Sequence, residues 1–178
     1  MVIRRAHLNE YPQVIEFYYS VSDSMVDSPF RPTWRRGIYP VLDDLIGNLF
    51  IAKDENDGII GSVLVNDRQG SGYENGAWQR NTDRVAVIHL LAVTPTYQHK
   101  GVAQALLDAV RNSMIGMADT IRLDTLENNI PAKRLYEGYG FHSCGDIDVE
   151  YEGVGVKKFT LYEYLNKHRI QNPITDLF

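Results

Sequence analysis

A short polar turn at residues 97–101 carries the residue types needed to bind an anion. Gly101 opens a helical pattern, and its missing side chain lets a ligand approach the backbone closely. The N–H groups of the first helical turn lack intrahelical acceptors, the helix dipole favours an anion there, and Lys100 adds a positive charge. The turn therefore predicts an anion site, although a strand–turn–helix with no ligand has the same pattern.

His89 is the one titratable side chain in the apolar run Val85–Val93. Imidazole titrates near neutral pH, so a histidine here is suited to accept a proton during a reaction. A histidine in a core strand can equally be structural, and the sequence leaves both interpretations open. Cys144 is the only cysteine, which excludes an internal disulfide, and nothing marks it as an activated thiol.

The elements around these residues follow the order strand, turn, helix. Both alternating faces of Val85–Val93 are apolar, which is typical of a strand buried on two sides. Pro95 ends this strand because proline cannot donate to a sheet ladder. The helix after Gly101 has apolar residues at helical spacing, namely Ala103, Leu106, Leu107, Val110 and Met114.

The rest of the chain predicts further helices and strands. One helix is expected over Leu8–Met25, a second, broken near Pro40, over Trp34–Leu49, and a short one from Pro131 to Tyr139. The other predicted strands are Val2–Arg5, Leu49–Ala52, Ile59–Asn66, Thr120–Leu126, Lys157–Tyr164 and one more after Ser143.

A polar loop over Arg68–Asp83 leads directly into the central strand and carries Tyr73 and Trp78. A loop of this length inside a compact domain is usually functional or mobile. Two interpretations follow. Either the loop lies over the active site, or it is a surface excursion whose tryptophan packs back on the body.

Two segments resemble the signature motifs of the GNAT acetyltransferases. Residues 98–103 read QHKGVA and resemble the family pattern Q/R-x-x-G-x-G/A, with Ala103 where many members have glycine. Residues 129–141 read NIPAKRLYEGYGF and match every fixed position of the pattern N-x-x-A-x-x-L-Y-E-x-x-G-F. The resemblance covers nearly the whole chain, but only Val85–Phe141 is specific.

The resemblance implies an α/β fold of the GNAT type. Its mixed, mostly antiparallel sheet of about seven strands has helices on both faces. In the family the fourth and fifth strands splay apart and the pantetheine arm inserts between them; here these strands are Val85–Val93 and Thr120–Leu126. We expect a single acetyltransferase domain over residues 1–165 and a C-terminal tail over residues 166–178.

The resemblance also implies residues for acetyl-CoA, the expected co-substrate, and calls for no metal. Tyr136 matches the tyrosine beside the coenzyme sulfur, and a phenol with a pKa near 10 keeps its proton at neutral pH. Asn129 matches the asparagine that holds the pantetheine arm. The rest of the acetyl-CoA is expected to contact Leu91, Ala92, Val93, His99, Lys100, Gly101, Val102, Ala103 and Gln104.

The base that takes the proton of the attacking amine has two candidates. Some family members carry a histidine where this chain has His89, and others use an acid on the neighbouring strand, where it has Asp124. Because side chains alternate along a strand, we expect His89 to share a face with Leu91, whose backbone lies near the acetyl group. Either base could act alone, or the two could act together.

The acceptor site is defined less well by the sequence. In the family, two helices between the first strands form one wall of this site, so Trp34 and Tyr39 are candidates, together with Tyr73 of the polar loop; each also suits the core. Carboxylates that could attract a cationic amine, or simply be solvated, are Asp43, Asp44, Asp67 and Glu74.

Composition sets the remaining expectations. The net charge of −5 over 178 residues argues against a nucleic-acid partner. No apolar run reaches membrane-spanning length and no secretory leader is visible, so we expect a cytoplasmic protein without a membrane partner. A homodimer is left open. The expected function is transfer of the acetyl group of acetyl-CoA to a primary amine of a small molecule or peptide, by direct attack in a ternary complex. The alternative is a non-catalytic acyl-CoA-binding or regulatory module.

Overall fold

The computed structural model describes residues 1–32, 34–151 and 155–166, over which seven strands form one sheet with three α-helices packed on it. The strands are β1 (Val2–Arg5), β2 (Asn48–Lys53), β3 (Ile59–Asn66), β4 (Val85–Val93), β5 (Thr120–Leu126), β6 (His142–Tyr151) and β7 (Gly155–Leu165). The helices are α1 (Tyr11–Ser24), α2 (Val102–Ser113) and α3 (Ile130–Tyr139). No helix in the described part of the chain is long and apolar enough to cross a membrane.

The sheet has the order β1-β2-β3-β4-β5-β7-β6 and opens between its two central strands. β4 and β5 are parallel, and they pair only over residues 85–87 and 120–122. The other neighbouring pairs within the described residues are antiparallel. The predicted mixed, mostly antiparallel sheet and the splay between the fourth and fifth strands are therefore confirmed.

Helices cover both faces of this sheet, as predicted. The apolar stripe of α2, which includes Leu106 and Val110, packs on one face together with α3. On the other face α1 covers β2 and β3 through Val14 and Tyr18. The rest of that face, over β5, β7 and β6, is covered by residues 68–83, which we call the bridging loop; its Tyr73 is buried there.

Strand β4 contains a bulge at Leu90, which has a left-handed φ of +54° where the register against β3 shifts. Ile88 and Leu91 both pack in the apolar cluster beneath α2, although they are three residues apart. His89, next to Ile88, is therefore on the opposite face from Leu91. The expectation that His89 and Leu91 share a face is wrong, because a bulge interrupts the alternation of side chains along a strand.

The helix predicted between α1 and β2 is wrong. Arg35 and Tyr39 instead form an antiparallel bridge, with backbone N···O distances of 2.9 and 3.0 Å. Gly37 between them has a left-handed φ of +72°, and Pro40 after them has no N–H to donate to a helix. Helical structure in this segment is limited to a 3-10 turn at Leu42–Leu45.

A buried carboxylate joins the beginning of α1 to the sheet edge. Glu10 lies in a 3-10 turn that precedes α1, and its oxygens accept from both terminal nitrogens of Arg4 at 2.7 and 2.8 Å. Lys53 on β2 donates to the same carboxylate at 3.1 Å. The hydrogen bonds from Arg4 are the largest cause that holds the pKa of Glu10 far below its usual range.

The final described residue, Asn166, belongs to the body of the protein. It is buried, and its side-chain amide donates to the carbonyls of Met114 and Ala118 at 2.9 and 3.1 Å, near the end of α2. The first residue of the predicted C-terminal tail is therefore anchored. The rest of that predicted tail, residues 167–178, lies outside the described residues.

Candidate active site

A cleft of about 800 Å³ opens where β4 ends, between the N-terminal ends of α2 and α3 and the segment that follows α1. Most of the residues predicted to contact acetyl-CoA line it: Leu91, Ala92, Val93, His99, Gly101, Val102, Ala103, Gln104 and Asn129. Tyr136 and Trp34 line it as well. The two sequence motifs, 31 residues apart at their first positions (129 minus 98), thus meet at one cavity.

The N-terminus of α2 presents unpaired backbone donors to this cleft. The first N–H with an intrahelical acceptor is that of Ala105, 3.0 Å from the Gly101 carbonyl, and no side chain caps the helix. The N–H groups of Val102, Ala103 and Gln104 therefore remain available to a ligand. Gly101 has φ +79°, and a Cβ built on it would meet no atom of the described residues within 4 Å. This open, positively polarised helix end has the features of an anion site.

Asn129 is the N-cap of α3, and within the described residues only the oxygen of its side-chain amide is hydrogen-bonded. Its Oδ1 accepts from the N–H of Ala132 at 3.3 Å, so it caps the helix. Its amide nitrogen has no hydrogen-bond partner among the described residues and lies at the cleft wall. The free NH₂ group can therefore donate to a carbonyl of a bound molecule.

Lys100 is the predicted cofactor contact that does not line the cleft. Its Nζ lies 5.0 Å from the centroid of the Tyr97 ring, a cation–π contact on the turn itself. Tyr97 in turn donates from its hydroxyl to Asp54 at 3.1 Å. The positive charge expected beside the anion site thus lies over the ring of Tyr97, which itself lines the cleft.

Tyr136 lies on the apolar face of α3, packs against Phe141 and Tyr162, and is 7% exposed. Its hydroxyl has no hydrogen-bond partner among the described residues, and the residue lines the cleft. Burial, with a smaller contribution from the charge of Asp124, raises the pKa of Tyr136 above its usual value of 10. The phenol is therefore protonated throughout the physiological range.

Asp124 lies on β5, two residues beyond the last parallel pair with β4, and is not among the residues that line the cleft. The Tyr73 hydroxyl donates to its Oδ2 at 2.8 Å. Within the described residues Oδ1 has no hydrogen-bond partner, no cation pairs with the carboxylate, and no His, Cys, Asp or Glu cluster around it could hold a metal. Burial raises the pKa of Asp124, and the hydrogen bond from Tyr73 opposes that rise in part.

The charge of Asp124 acts on four described tyrosines from different parts of the chain, of which Tyr73 hydrogen-bonds to it. Burial is the largest cause that raises the pKa values of Tyr39, Tyr73, Tyr136 and Tyr151, to about 12 for Tyr39, and the charge of Asp124 adds to it in each case. The charge of Asp124 therefore raises the pKa of Tyr136, which lines the cleft, and the pKa values of Tyr39 and Tyr73, which were predicted to line the acceptor site. Tyr151 was not identified from the sequence.

His89 lies apart from the cleft and is bound to the end of β3. Its Nε2 lies 2.9 Å from Oδ1 of Asn66 and 3.1 Å from the carbonyl of Arg68. That Oδ1 also accepts the Arg68 N–H, so both neighbours of Nε2 are acceptors and Nε2 carries the hydrogen. Burial lowers the pKa of His89, so the ring is neutral at neutral pH and its Nδ1 is the position left for a proton.

A buried ion pair beside Asp124 was also missed from the sequence. Arg122 and Glu163 are 4% and 0% exposed, with Nε and Oε1 3.3 Å apart. The sequence contained a signal for it, because Arg122 and Asp124 occupy alternate positions of a strand with no other charged residue. Two charged residues on one face of a central strand indicate that this face meets a polar structure rather than the core.

Comparison with known proteins agrees with this geometry. The sequence matches the acetyltransferase (GNAT) family over residues 15–141. It is 30% identical over 119 residues to a streptothricin acetyltransferase of Escherichia coli, a match that covers 64% of this chain and 62% of that protein's length.

Solved structures share the fold. An acetyltransferase of the GNAT family from Streptococcus agalactiae superposes with a TM-score of 0.74 at 20% identity, covering 93% of this chain and 95% of that one. A ribosomal-protein-alanine N-acetyltransferase from Brucella melitensis gives 0.66 at 13% identity, covering 93% and 99%. The family match includes both motifs and most of the chain. This chain therefore belongs to the GNAT acetyltransferase family and is an acyltransferase.

Proposed function

We propose that this chain transfers the acetyl group of acetyl-CoA to a primary amine, by direct attack within a ternary complex. The observation that carries the proposal is that both motifs line one cleft of about 800 Å³, with Tyr136 at its wall. The GNAT family uses acetyl-CoA as its co-substrate. The unpaired N–H groups of α2 beside Gly101 fit a pyrophosphate, and the free amide of Asn129 fits the pantetheine arm.

Asp124 is the better supported of the two proposed bases. Its Oδ1 is unpaired within the described residues, it lies where β4 and β5 separate, and its charge acts on Tyr136. Burial raises its pKa toward the range in which a carboxylate accepts a proton effectively. His89 is a weaker candidate, because the bulge at Leu90 puts it on the opposite face from Leu91 and its Nε2 is already bound to β3.

Tyr136 is the proposed acid. When bound, acetyl-CoA supplies an acetyl group activated as a thioester. The buried Tyr136 hydroxyl keeps its proton at neutral pH and the residue lines the cleft, so the hydroxyl can give that proton to the departing sulfur. An acceptor that arrives as an ammonium ion first loses one proton to water. Asp124 then takes the proton that the neutral amine gives up as the C–N bond forms and the C–S bond breaks, and this proton balances the one that Tyr136 gives to the sulfur.

The proposed acceptor is a positively charged amine on a small molecule or peptide. A half-buried carboxylate that has no cation partner among the described residues favours such a group at Asp124. The Escherichia coli relative is named for streptothricin, which makes streptothricin the first acceptor to test. The alternative function is a non-catalytic acyl-CoA-binding module, and the presence of Tyr136 at the cleft, with the charge of Asp124 acting on it, favours the enzyme.

Turnover with a panel of amines tests the proposal. Release of free coenzyme A thiol is followed with streptothricin, polyamines, aminoglycosides and peptide N-termini as acceptors. We expect thiol release above background with at least one cationic amine and a matching acetylated product by mass spectrometry. Tight binding of acetyl-CoA without turnover of any amine would favour the non-catalytic module.

The identity of the base is tested by two matched variants. Asp124→Asn should remove the acidic limb of the pH profile of kcat/KM, because that limb reports the base of the free enzyme. His89→Gln should retain the limb. Both variants are checked for folding by circular dichroism. Loss of the acidic limb in His89→Gln and its retention in Asp124→Asn would instead identify His89 as the base.

A further inference from the structure

The bridging loop is tied to the sheet by the buried ion pair of Arg122 on β5 and Glu163 on β7. The Arg122 guanidinium donates to the Arg80 carbonyl at 2.9 Å, and Glu163 accepts the backbone N–H of Gln79 at 2.7 Å. A buried ion pair contributes little net stability after its desolvation cost. Its two partners here hold the backbone of the loop, so the pair fixes where the loop lies.

The same pair fixes Tyr73 through Trp78. The guanidinium of Arg122 lies 4.0 Å from the centroid of the Trp78 ring, and the indole N–H donates to the Tyr73 carbonyl at 2.7 Å. Tyr73 is 2% exposed, and its ring lies 5.5 Å from that of Trp78. The phenol thus has a restricted orientation, with its hydroxyl 2.8 Å from Oδ2 of Asp124.

We propose that Tyr73 is a positioning residue for Asp124, and that the bridging loop and the Arg122–Glu163 pair form one device that holds it in place. The hydroxyl donates to one carboxylate oxygen, Oδ2, and leaves Oδ1, which has no hydrogen-bond partner among the described residues, available to an acceptor amine. This inference rests on the proposed function, because it gives Tyr73 its role through the proposed base.

The surroundings of Asp124 make Tyr73 its principal hydrogen-bond donor. The titratable groups on which its charge acts are Tyr39, Tyr73, Tyr136 and Tyr151, and Arg122 of the Arg122–Glu163 pair lies two residues before it on β5. Within the described residues, none of these except Tyr73 hydrogen-bonds to the carboxylate. The tyrosines are neutral near pH 7, and the charge of Arg122 is balanced by Glu163. Loss of the Tyr73 hydroxyl therefore removes the main stabilisation of ionised Asp124.

The substitution Tyr73→Phe tests the inference in the full chain. The pKa of the Asp124 carboxyl is measured by carbon-detected NMR titration, with its resonance assigned by its loss in Asp124→Asn. We expect the pKa to rise by about one to two units, since a hydrogen bond to a charged group has that magnitude. The acidic limb of kcat/KM should move to higher pH by the same amount, and acetyl-CoA affinity should be unchanged.

Tyr139→Phe is the matched control. It also removes a tyrosine hydroxyl that donates to an aspartate at 2.8 Å, but its partner is Asp108 and the bond joins α3 to α2. This variant should leave the Asp124 pKa and the acidic limb at their wild-type positions.

Two results would overturn the inference, and they differ in what they say about the proposed function. An unchanged Asp124 pKa in Tyr73→Phe would reject the positioning role of Tyr73. Asp124 would still be supported as the base if the acidic limb of kcat/KM is absent in Asp124→Asn. A raised Asp124 pKa in Tyr73→Phe, together with a wild-type acidic limb in Asp124→Asn, would reject both the positioning role of Tyr73 and the role of Asp124 as base. Tyr73 would then change the pKa of a carboxylate that takes no part in proton transfer.

Discussion

Gly101 offers the most direct test of the proposed acetyl-CoA site, through the substitution Gly101→Ala. The backbone there has φ +79°, a left-handed conformation that costs an L-residue about 1–2 kcal/mol. We therefore expect the free energy of unfolding to fall by about 1–2 kcal/mol. No atom of the described residues lies within 4 Å of the new methyl group, so no steric clash with them adds to this cost.

The effect on binding has a different origin. Gly101 lines the cleft, so the added methyl group occupies the space in which the pyrophosphate is proposed to approach the N–H groups of α2. We expect the affinity for acetyl-CoA to fall at least about tenfold, which corresponds to about 1.4 kcal/mol. Calorimetric titration measures this loss, and urea unfolding measures the stability of the same variant.

The control variant Gly116→Ala distinguishes the two effects expected of Gly101→Ala, which are backbone strain and steric blockage of the acetyl-CoA site. Gly116 has φ +76° and no atom of the described residues within 4 Å of an added Cβ, but it follows the other end of α2 and does not line the cleft. The control should therefore lose the same stability as Gly101→Ala and keep wild-type affinity. Equal affinities in the two alanine variants would show that the left-handed turn at Gly101 serves the fold and not a ligand.

Two further predictions concern Tyr136 and Glu10. Tyr136→Phe should lower kcat by about 10²–10⁴-fold at unchanged acetyl-CoA affinity, and wild-type turnover would leave the residue with a packing role only. Glu10→Gln should lower the free energy of unfolding by about 1–3 kcal/mol at neutral pH, because Arg4 and Lys53 then lose their carboxylate. The folded-state pKa of Glu10 is depressed, so its contribution is complete above the unfolded value of about 4.3 and is lost as the pH falls below it. Urea midpoints of the two proteins should converge in acid, and a gap that is independent of pH would contradict this account.

The parts of the site that could be read from the sequence are those fixed by local backbone chemistry. Gly101 marks a left-handed turn before a helix, and Asn129 followed by Pro131 marks the beginning of another. Such signals depend on neighbours a few residues away, so six and thirteen consecutive residues were sufficient to identify both walls of the cleft. The splay of β4 from β5 followed from the family resemblance and not from the pattern of the strands.

The parts that could not be read depend on contacts between distant residues or on a single irregular residue. The hydrogen bond from Tyr73 to Asp124 joins positions 51 apart, and no periodicity predicts it. Leu90 is apolar in an apolar strand, so its residue type does not predict the bulge. This bulge changes which face of the sheet the following side chains of β4 occupy. Apolar spacing before β2 suggested a helix, but Gly37 and Pro40 favour a bridged turn.

The connection between the bridging loop and the ion pair also bears on how acceptor choice can change in this family. Replacing residues 68–83 by a loop whose backbone follows another path would leave Arg122 and Glu163 without the Arg80 carbonyl and the Gln79 N–H that they bind. A buried group that loses a hydrogen-bond partner in this way costs about 1–3 kcal/mol, and more when it is charged. Loop, arginine and glutamate are thus expected to be exchanged as one inherited unit. A chimaera that transfers all three has a far better prospect of folding than one that transfers the loop alone.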